Sequence, residues 1–415
     1  MIPASGATSM GSRWMLPTLC SAAFLVFAQT FMVAPLIPRL STLLGASTDA
    51  VGLAIPAYVI PQALSILFVG PFSDRMGRKI VILGSLSLFC ALTLATATAT
   101  DVTSFIRWRL ATGVVAAGIV PISLTLIGDV IPYQDRGRAV GWLFGAIAGG
   151  TAAGAAAGAL LEPLLGWQGL FLCVGALCLL VLLTAISASV IPHSARHNAP
   201  APWSATLKGY RALLTQLRAL RTYGYVLLNA ILQSGVFTWL GVYLHARFGL
   251  DEAHIGLALL GYGIPGLIFG PLIGKLADRC GRARIIPLGV ALTGLCTLSL
   301  IPSLPLVLVQ VAIIFLSLGF DLTQPLLAGI ATSLKGAAKG QAVALMAFSL
   351  FSGFGLGSLL FQAALKLGFA SALSTFGVIA LIAAIVAWSL FRSEVPVPGL
   401  SPVPSPQPPH DADAQ

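Results

Sequence analysis

Long apolar runs alternate with short polar gaps along this chain. Runs almost free of charge fall at residues 14–37, 51–71, 79–99, 103–128, 139–161 and 169–191, and again at 223–246, 253–275, 283–303, 305–331, 341–365 and 370–391. About 20 helical residues cross a hydrocarbon core roughly 30 Å thick. Inside lipid the backbone must satisfy its own polar groups, so such runs are helices. The pattern predicts an all-α polytopic membrane protein with twelve spans. One internal stretch, 193–221, breaks the rhythm with Arg196, Lys208, Arg211, Arg218 and Arg221. Its second half sets Leu207, Tyr210, Leu213, Leu214 and Leu217 at helical spacing, which suits an amphipathic helix on a membrane surface. The expected organisation is an N-terminal arm at 1–13, a six-helix bundle at 14–192, a basic linker at 193–221 and a second six-helix bundle at 222–393. A proline-rich tail at 394–415 has the composition of a disordered segment.

The two bundles repeat one plan. Gly70-Pro-Phe-Ser-Asp74-Arg75-Met-Gly77-Arg78-Lys79 lies between the second and third runs, and Gly274-Lys-Leu-Ala-Asp278-Arg279-Cys-Gly281-Arg282 lies between the eighth and ninth, at an offset of 204 (274 − 70). At the same offset Gly45 matches Gly249, Gly52 matches Gly256 and Pro121 matches Pro325. Six spans return the chain to the side it started from, so both halves enter the membrane in the same sense. The expected architecture is two parallel six-helix pseudo-repeats about an axis along the membrane normal, with a seam between them.

Composition removes the soluble alternatives. The 415 residues are 57% hydrophobic and 9% charged, whereas soluble domains carry about 25% charged residues. The net charge of +10 reflects topology and gives no reason to expect nucleic acid. With the N-terminus inside, Lys and Arg fall in cytoplasmic segments except for Arg39, Arg247 and Lys366 outside and Arg107 and Arg109 within the fourth span. That bias puts both termini in the cytoplasm. The six cysteines lack disulfide or metal-ligand spacing, and no phosphate-cradling loop or nucleophile triad is present. Neither an enzyme nor an ATP-driven pump is expected, and no cofactor or metal is called for.

Twelve spans in two parallel sixes, with this charged turn after spans 2 and 8, resemble the major facilitator superfamily over residues 14–392. The turn Gly70-x-x-x-Asp74-Arg75-x-Gly77-Arg78-Lys79 is similar to that family's loop 2–3 signature. Arg109-Leu-Ala-Thr-Gly113 resembles a motif of its proton-coupled members, and Asp129-x-x-Pro132-x-x-x-Arg136-Gly137 resembles the end of its span 4. Gly150, Gly154 and Gly158, followed by Gly166-Trp167, resemble the glycine-rich motif of its drug–proton antiporters, although Ala155 stands where that motif has proline. The resemblance implies a monomeric transporter of small molecules in a cell membrane, a bacterial inner membrane being expected. It also implies protons as coupling ion, efflux and drug resistance, and spans 1, 4, 7 and 10 lining a cavity.

Several residues stand out, each with a plainer alternative. Asp321 lies well inside span 10 with no base near it in sequence. An acid at that depth suits proton or substrate handling, and the alternative is a neutral, hydrogen-bonded group steadying the helix at Pro325. Arg109 lies about a third of the way into span 4; it either faces the cavity as a charge partner for an acid or snorkels to the headgroups. Gln29, Gln62, Asn229, Gln233 and Gln324 are deep polar residues that suit a cavity or helix–helix hydrogen bonds. Gly70, Asp74, Arg75, Gly77, Arg78 and Asp129, with Asp278, Arg279, Gly281 and Arg282 in the repeat, are candidate gating residues, the alternative being a solvated topological turn. The span-5 glycines suit close helix packing. Export of small hydrophobic or amphipathic compounds is the leading expectation. Uptake of a metabolite or sugar by symport is the second, and a non-transporting scaffold is disfavoured by charges at depth.

Overall fold

The computed structural model describes residues 8–131, 133–187, 191, 203–266, 273, 276, 281–334 and 339–394. Among these, nine helical runs are long and apolar enough to cross a membrane. They are Trp14–Leu43, Thr48–Met76, Arg78–Thr96, Val102–Val130, Arg138–Ser187, Leu217–Phe248, Leu306–Ala331, Gly340–Leu365 and Phe369–Leu390. Arg138–Ser187 is 50 residues long and breaks at Gly166, which has φ 68°, so it supplies spans 5 and 6. Arg282–Ser299 is span 9, and Glu252–Leu259 with Leu260–Gly263 opens span 8, most of whose remainder lies outside the described residues. The arrangement accords with twelve spans. The first helix starts at Thr8, inside the stretch expected to be an arm; residues 1–7, the proline-rich tail beyond Glu394 and most of the second charged turn lie outside the described residues.

The turn glycines have a backbone reason. Gly77 ends span 2 at φ 96°, and its repeat mate Gly281 opens span 9 at φ 82°. Gly45 and Gly249 form a second mated pair, at φ 58° and 64°. Side chains with a Cβ rarely adopt these values, so the chain reverses on glycine at matching places in each half.

Small residues set the helix packing. A Cβ on Gly150, Gly154 or Gly158 of span 5 would strike the backbone of Phe24, Ala28 or Met32 of span 1. In the other half, a Cβ on Gly353 or Gly357 of span 11 would strike Leu227 or Ile231 of span 7. Both seams are related by one offset of 203: 150 to 353, 154 to 357, 24 to 227 and 28 to 231. Without a hydrophobic drive between helices in lipid, this close backbone approach supplies the attraction.

The two halves meet the same way. Gly263 of span 8 lies on Ala152 of span 5, while Val59 and Ile60 of span 2 lie on Gly355 of span 11. The first contact becomes the second when the halves exchange, as a twofold axis between them requires. Seen by its ends, the molecule has a basic end, carrying the Asp74 turn, and a far end. At the far end Gly52 seats the ring of Trp239, Gly241 rests on Pro35, and Gln362 Nε2 donates to Asp49 O at 2.8 Å. Each contact joins one half to the other, so the far end is closed.

The linker contains the helix Trp203–Leu214, and the seventh helix starts at Leu217, inside the stretch expected to be linker. Leu213 is buried and Tyr210 half-buried, whereas Leu207, Leu214 and Leu217, expected on the same apolar face, are exposed. Tyr210 donates from its hydroxyl to Leu67 O of span 2 at 3.0 Å, and Gly209 lies against Gln341 of span 11. The helix therefore straddles the seam.

Candidate functional site

Arg109 is fully buried in span 4, and helix breaks in its neighbours explain how. Span 1 stops its α-helix at Phe31 ahead of Pro35, and span 2 restarts at Pro56 after a turn. Where an α-helix ends, its last carbonyls have no partner within it. Ala57 and Tyr58 donate to Leu53 O and Ile55 O, bypassing Ala54 O. Arg109 Nε donates to that Ala54 oxygen at 3.2 Å. Its Nη1 donates to Gln29 O at 3.0 Å and Gln29 Oε1 at 2.8 Å, and Nη2 donates to Thr30 O at 3.0 Å. The guanidinium also lies 4.4 Å from the centre of the Tyr58 ring. It staples spans 1, 2 and 4 together with backbone oxygens and a π face, and it does not snorkel.

Asp321 occupies the corresponding region of the other half. Its Oδ2 accepts from Ser317 Oγ at 3.2 Å, and a Cβ on Gly266 of span 8 would lie 3.0 Å from the same oxygen. Tyr262 lies one turn before Gly266 on span 8. Gln233 Nε2 donates to the Tyr262 hydroxyl, and the Tyr262 ring stacks on Phe237 with centroids 4.0 Å apart. No ion pair among the described residues joins Asp321 to Arg109; each charge belongs to its own half.

Sequence inspection passed over the tyrosines, although the signal was present. Tyr58 and Tyr262 are repeat mates (262 − 58 = 204), as are Gln29 and Gln233 (233 − 29 = 204). Each half holds a buried Gln–Tyr pair beside one deep charge, an arginine in the first and an acid in the second. The mate of Gln62 is Gly266 (266 − 62 = 204), and the mate of Asp321 is Ala117 (321 − 117 = 204). The second half removes a side chain on span 8 and places a carboxyl on span 10.

The remaining deep polar groups are buried and only partly paired. Gln62 is fully buried with both amide atoms lacking a hydrogen-bond partner among the described residues. Asn229 donates to Thr323 Oγ1, leaving its own Oδ1 without a partner. Gln29 Nε2, Gln233 Oε1 and Gln324 Nε2 are likewise unpaired. Phenylalanines fill the seam beside them: Phe27 meets Phe351 at 5.8 Å, and Phe31 meets Phe237 and Phe354 at 5.8 Å each. These rings come from spans 1, 7 and 11, so the apolar wall spans both halves.

At the basic end Arg78 forms an ion pair with Asp129 and donates to Thr125 O at 3.1 Å. Asp74 is exposed and lies 4.0 Å from Arg78, with Arg75 half-buried beside it. Gly70 has open space around it. In the repeat Arg282 lies against Gly329, the mate of Thr125 (329 − 125 = 204), while Ser333 replaces the acid mated to Asp129 (333 − 129 = 204). Glu394 supplies the negative charge there. It pairs with Arg218, Nε to Oε1 at 2.8 Å, and with Arg221. Gly274, Asp278 and Arg279 lie outside the described residues. A further buried acid went unnoticed in the sequence: Glu162 at the far end of span 5, whose Oε1 is 3.4 Å from Arg39 Nε. It falls one residue past the apolar run that ends at 161.

Comparison with known proteins decides the family. The Major Facilitator Superfamily model matches residues 19–334 and again 243–412. The chain belongs to the major facilitator superfamily. The superfamily's members are transporters, and this one is a multi-pass membrane protein and not an enzyme. It is 28% identical over 344 residues to the uncharacterized MFS-type transporter YceJ of Bacillus subtilis, covering 81% of this chain and 86% of that one. It is 25% identical over 311 residues to a chloramphenicol resistance protein of Streptomyces lividans (74% and 78% of the two chains). It is 28% identical over 326 residues to a gallate transporter of Pseudomonas putida (69% and 71%). Among solved structures, the D-xylose-proton symporter superposes with a TM-score of 0.75 at 16% identity, covering 91% of this chain and 98% of that one, which extends the likeness to the fold.

Proposed function

We propose that this transporter exports small hydrophobic or amphipathic compounds in exchange for protons, by rocking its two halves about the seam. The observation that carries the reading is Asp321, a carboxyl deep in span 10 beside a phenylalanine-lined seam and partly unpaired amides. A carboxylate surrounded by helices is expensive to keep charged, so a proton or a ligand must answer it. The phenyl rings and amide groups suit flat, weakly polar guests. The resistance protein among the relatives accords with export. In this reading the basic end faces the cytoplasm of a bacterial cell, the protein acts as a monomer, and the residues at 14–192 and 222–393 move as two bodies. Arg78 and Asp129 then hold one access state at the basic end.

The gallate transporter among the relatives favours a second reading, proton-coupled uptake of a small aromatic acid. The two are separated by growth of expressing cells in chloramphenicol or ethidium, with gallate uptake measured in parallel. For either direction, Asp321→Asn should abolish the response of transport to an imposed pH gradient while the protein still reaches the membrane. An unchanged response would remove Asp321 as the coupling group.

A further inference from the structure

The two halves place the same pair, Gln29–Tyr58 and Gln233–Tyr262, beside opposite charges. In the first half Tyr58 has no freedom to respond. Its ring lies under a guanidinium held by four hydrogen bonds, and its hydroxyl has no partner among the described residues. In the second half Tyr262 sits in the 3-10 segment Leu260–Gly263, which interrupts span 8. A short 3-10 stretch within a helix often marks a hinge. Glycines on that stretch and just beyond it bring three surfaces together: Gly261 lies on Ile314 of span 10, Gly266 on the Asp321 carboxyl, and Gly263 on Ala152 of the opposite half. The Tyr262 ring itself stacks on Phe237, which meets Phe31 of the opposite half edge-on at 5.8 Å.

We propose that Tyr262 is the positioning residue that carries the state of Asp321 to the seam, through Phe237 and the 3-10 hinge of span 8. The inference rests on the reading of Asp321 as the coupling acid. The step itself is a proton transfer from hydronium to the Asp321 carboxylate: one O–H bond breaks in the donor, one forms on the carboxyl, and water is left. A carboxylate accepts hydrogen bonds only, whereas the neutral acid also donates one. Ser317, which donates to it, therefore faces a different partner before and after, and span 8, which meets the carboxyl at Gly266 one turn beyond Tyr262, faces a changed charge. Ser317 lies on the same helix as the acid, so its adjustment stays local. Tyr262 is on another helix and is tied by Gln233 and Phe237, so its adjustment moves the hinge. On the residues of span 10 flanking Asp321, span 9 presents Gly289 and Thr293, span 7 presents Asn229, and span 11 presents Phe354. Among these and the described groups of span 8 from Leu260 to Gly266, Tyr262 is the titratable one.

The test reads the far end of the seam, where Asp49 and Lys366 line one cavity of about 310 Å³ between the halves. Spin labels go on Asp49→Cys and Lys366→Cys in a background with the native cysteines replaced, reconstituted in lipid, and their separation is measured from pH 5 to 9. In the otherwise unaltered chain the distance distribution shifts with pH, and Asp321→Asn abolishes the shift. With Asp321 intact, Tyr262→Phe abolishes it too, and Gln233→Met, which frees the hydroxyl, displaces its midpoint. Tyr58→Phe, which keeps the ring over Arg109, leaves it unchanged. A shift that survives Asp321→Asn, or that is absent from the unaltered chain, sinks the coupling-acid reading and this inference with it. A shift lost in Asp321→Asn but intact in both Tyr262→Phe and Gln233→Met overturns the inference alone. Should Tyr262→Phe fail to fold, Gln233→Met decides the matter.

Discussion

Gly154→Ala tests how the first half is held together. A Cβ at this position would lie 2.8 Å from the Ala28 carbonyl carbon of span 1, a backbone atom that cannot turn aside. Carbon atoms rest about 3.5–4.0 Å apart, so span 5 must retreat by roughly 1 Å. A gap of that size forfeits about a quarter to a half of the dispersion energy of each seam contact it opens. Overpacking of this kind costs about 1–3 kcal/mol, against about 0.5–1 kcal/mol gained by replacing a helical glycine with alanine. The net expectation is a loss of about 1–2 kcal/mol. Gly84 in span 3 provides the control, since a Cβ there meets nothing within 4 Å. Gly84→Ala should therefore stabilise by about 0.5–1 kcal/mol. Unfolding in mixed micelles, titrated with sodium dodecyl sulfate and followed by tryptophan fluorescence, reads both on one scale. The expected result is midpoints displaced in opposite directions. If the two variants move together, close backbone packing is not what Gly154 provides. If Gly154→Ala keeps full stability yet stops transport, the glycine acts in the transport cycle.

Other expectations follow from the same geometry. Gly52→Val should unseat the Trp239 ring and open the far end, seen as faster thiol labelling of Asp49→Cys; unchanged labelling would show that this contact does not hold the closed state. Arg109→Lys leaves at most three donors for four hydrogen bonds, so at least one buried oxygen goes unpaired at about 1–3 kcal/mol, and wild-type stability in the micelle titration would contradict the staple. Arg218, with Arg221 and Arg282, holds the Glu394 carboxyl below its ordinary value of 4.5. A lowered folded value means the cluster's stabilisation is fully present above pH 4.5 and is lost as pH falls through that lower value. Glu394→Gln should remove this acid limb from the stability profile, and an identical limb in both proteins would rule the cluster out as its source.

Spans, doubling and turns were legible in the chain of residues, because each depends on short-range physics. Hydrocarbon thickness sets run length, and the helical backbone does the rest; the run at 305–331 became Leu306–Ala331. Gly77 and Gly281 could be read as turns because a positive φ is a property of the residue alone. The amphipathic linker helix was legible from periodicity, though its docking across the seam was not.

Which deep charge meets which partner depends on how the helices come together. Arg109 and Asp321 invite pairing on paper, since both are intramembrane and opposite in sign. The fold keeps them in separate halves, and helix breaks in spans 1 and 2 leave carbonyl oxygens that take up the arginine's donors. Tyr262 was legible only as the repeat mate of Tyr58; its 3-10 turn and its stacking on Phe237 came with folding. Hydropathy reports how deep a residue sits, but the direction it faces around its helix follows from the neighbours that crowd it, and those come from distant parts of the chain.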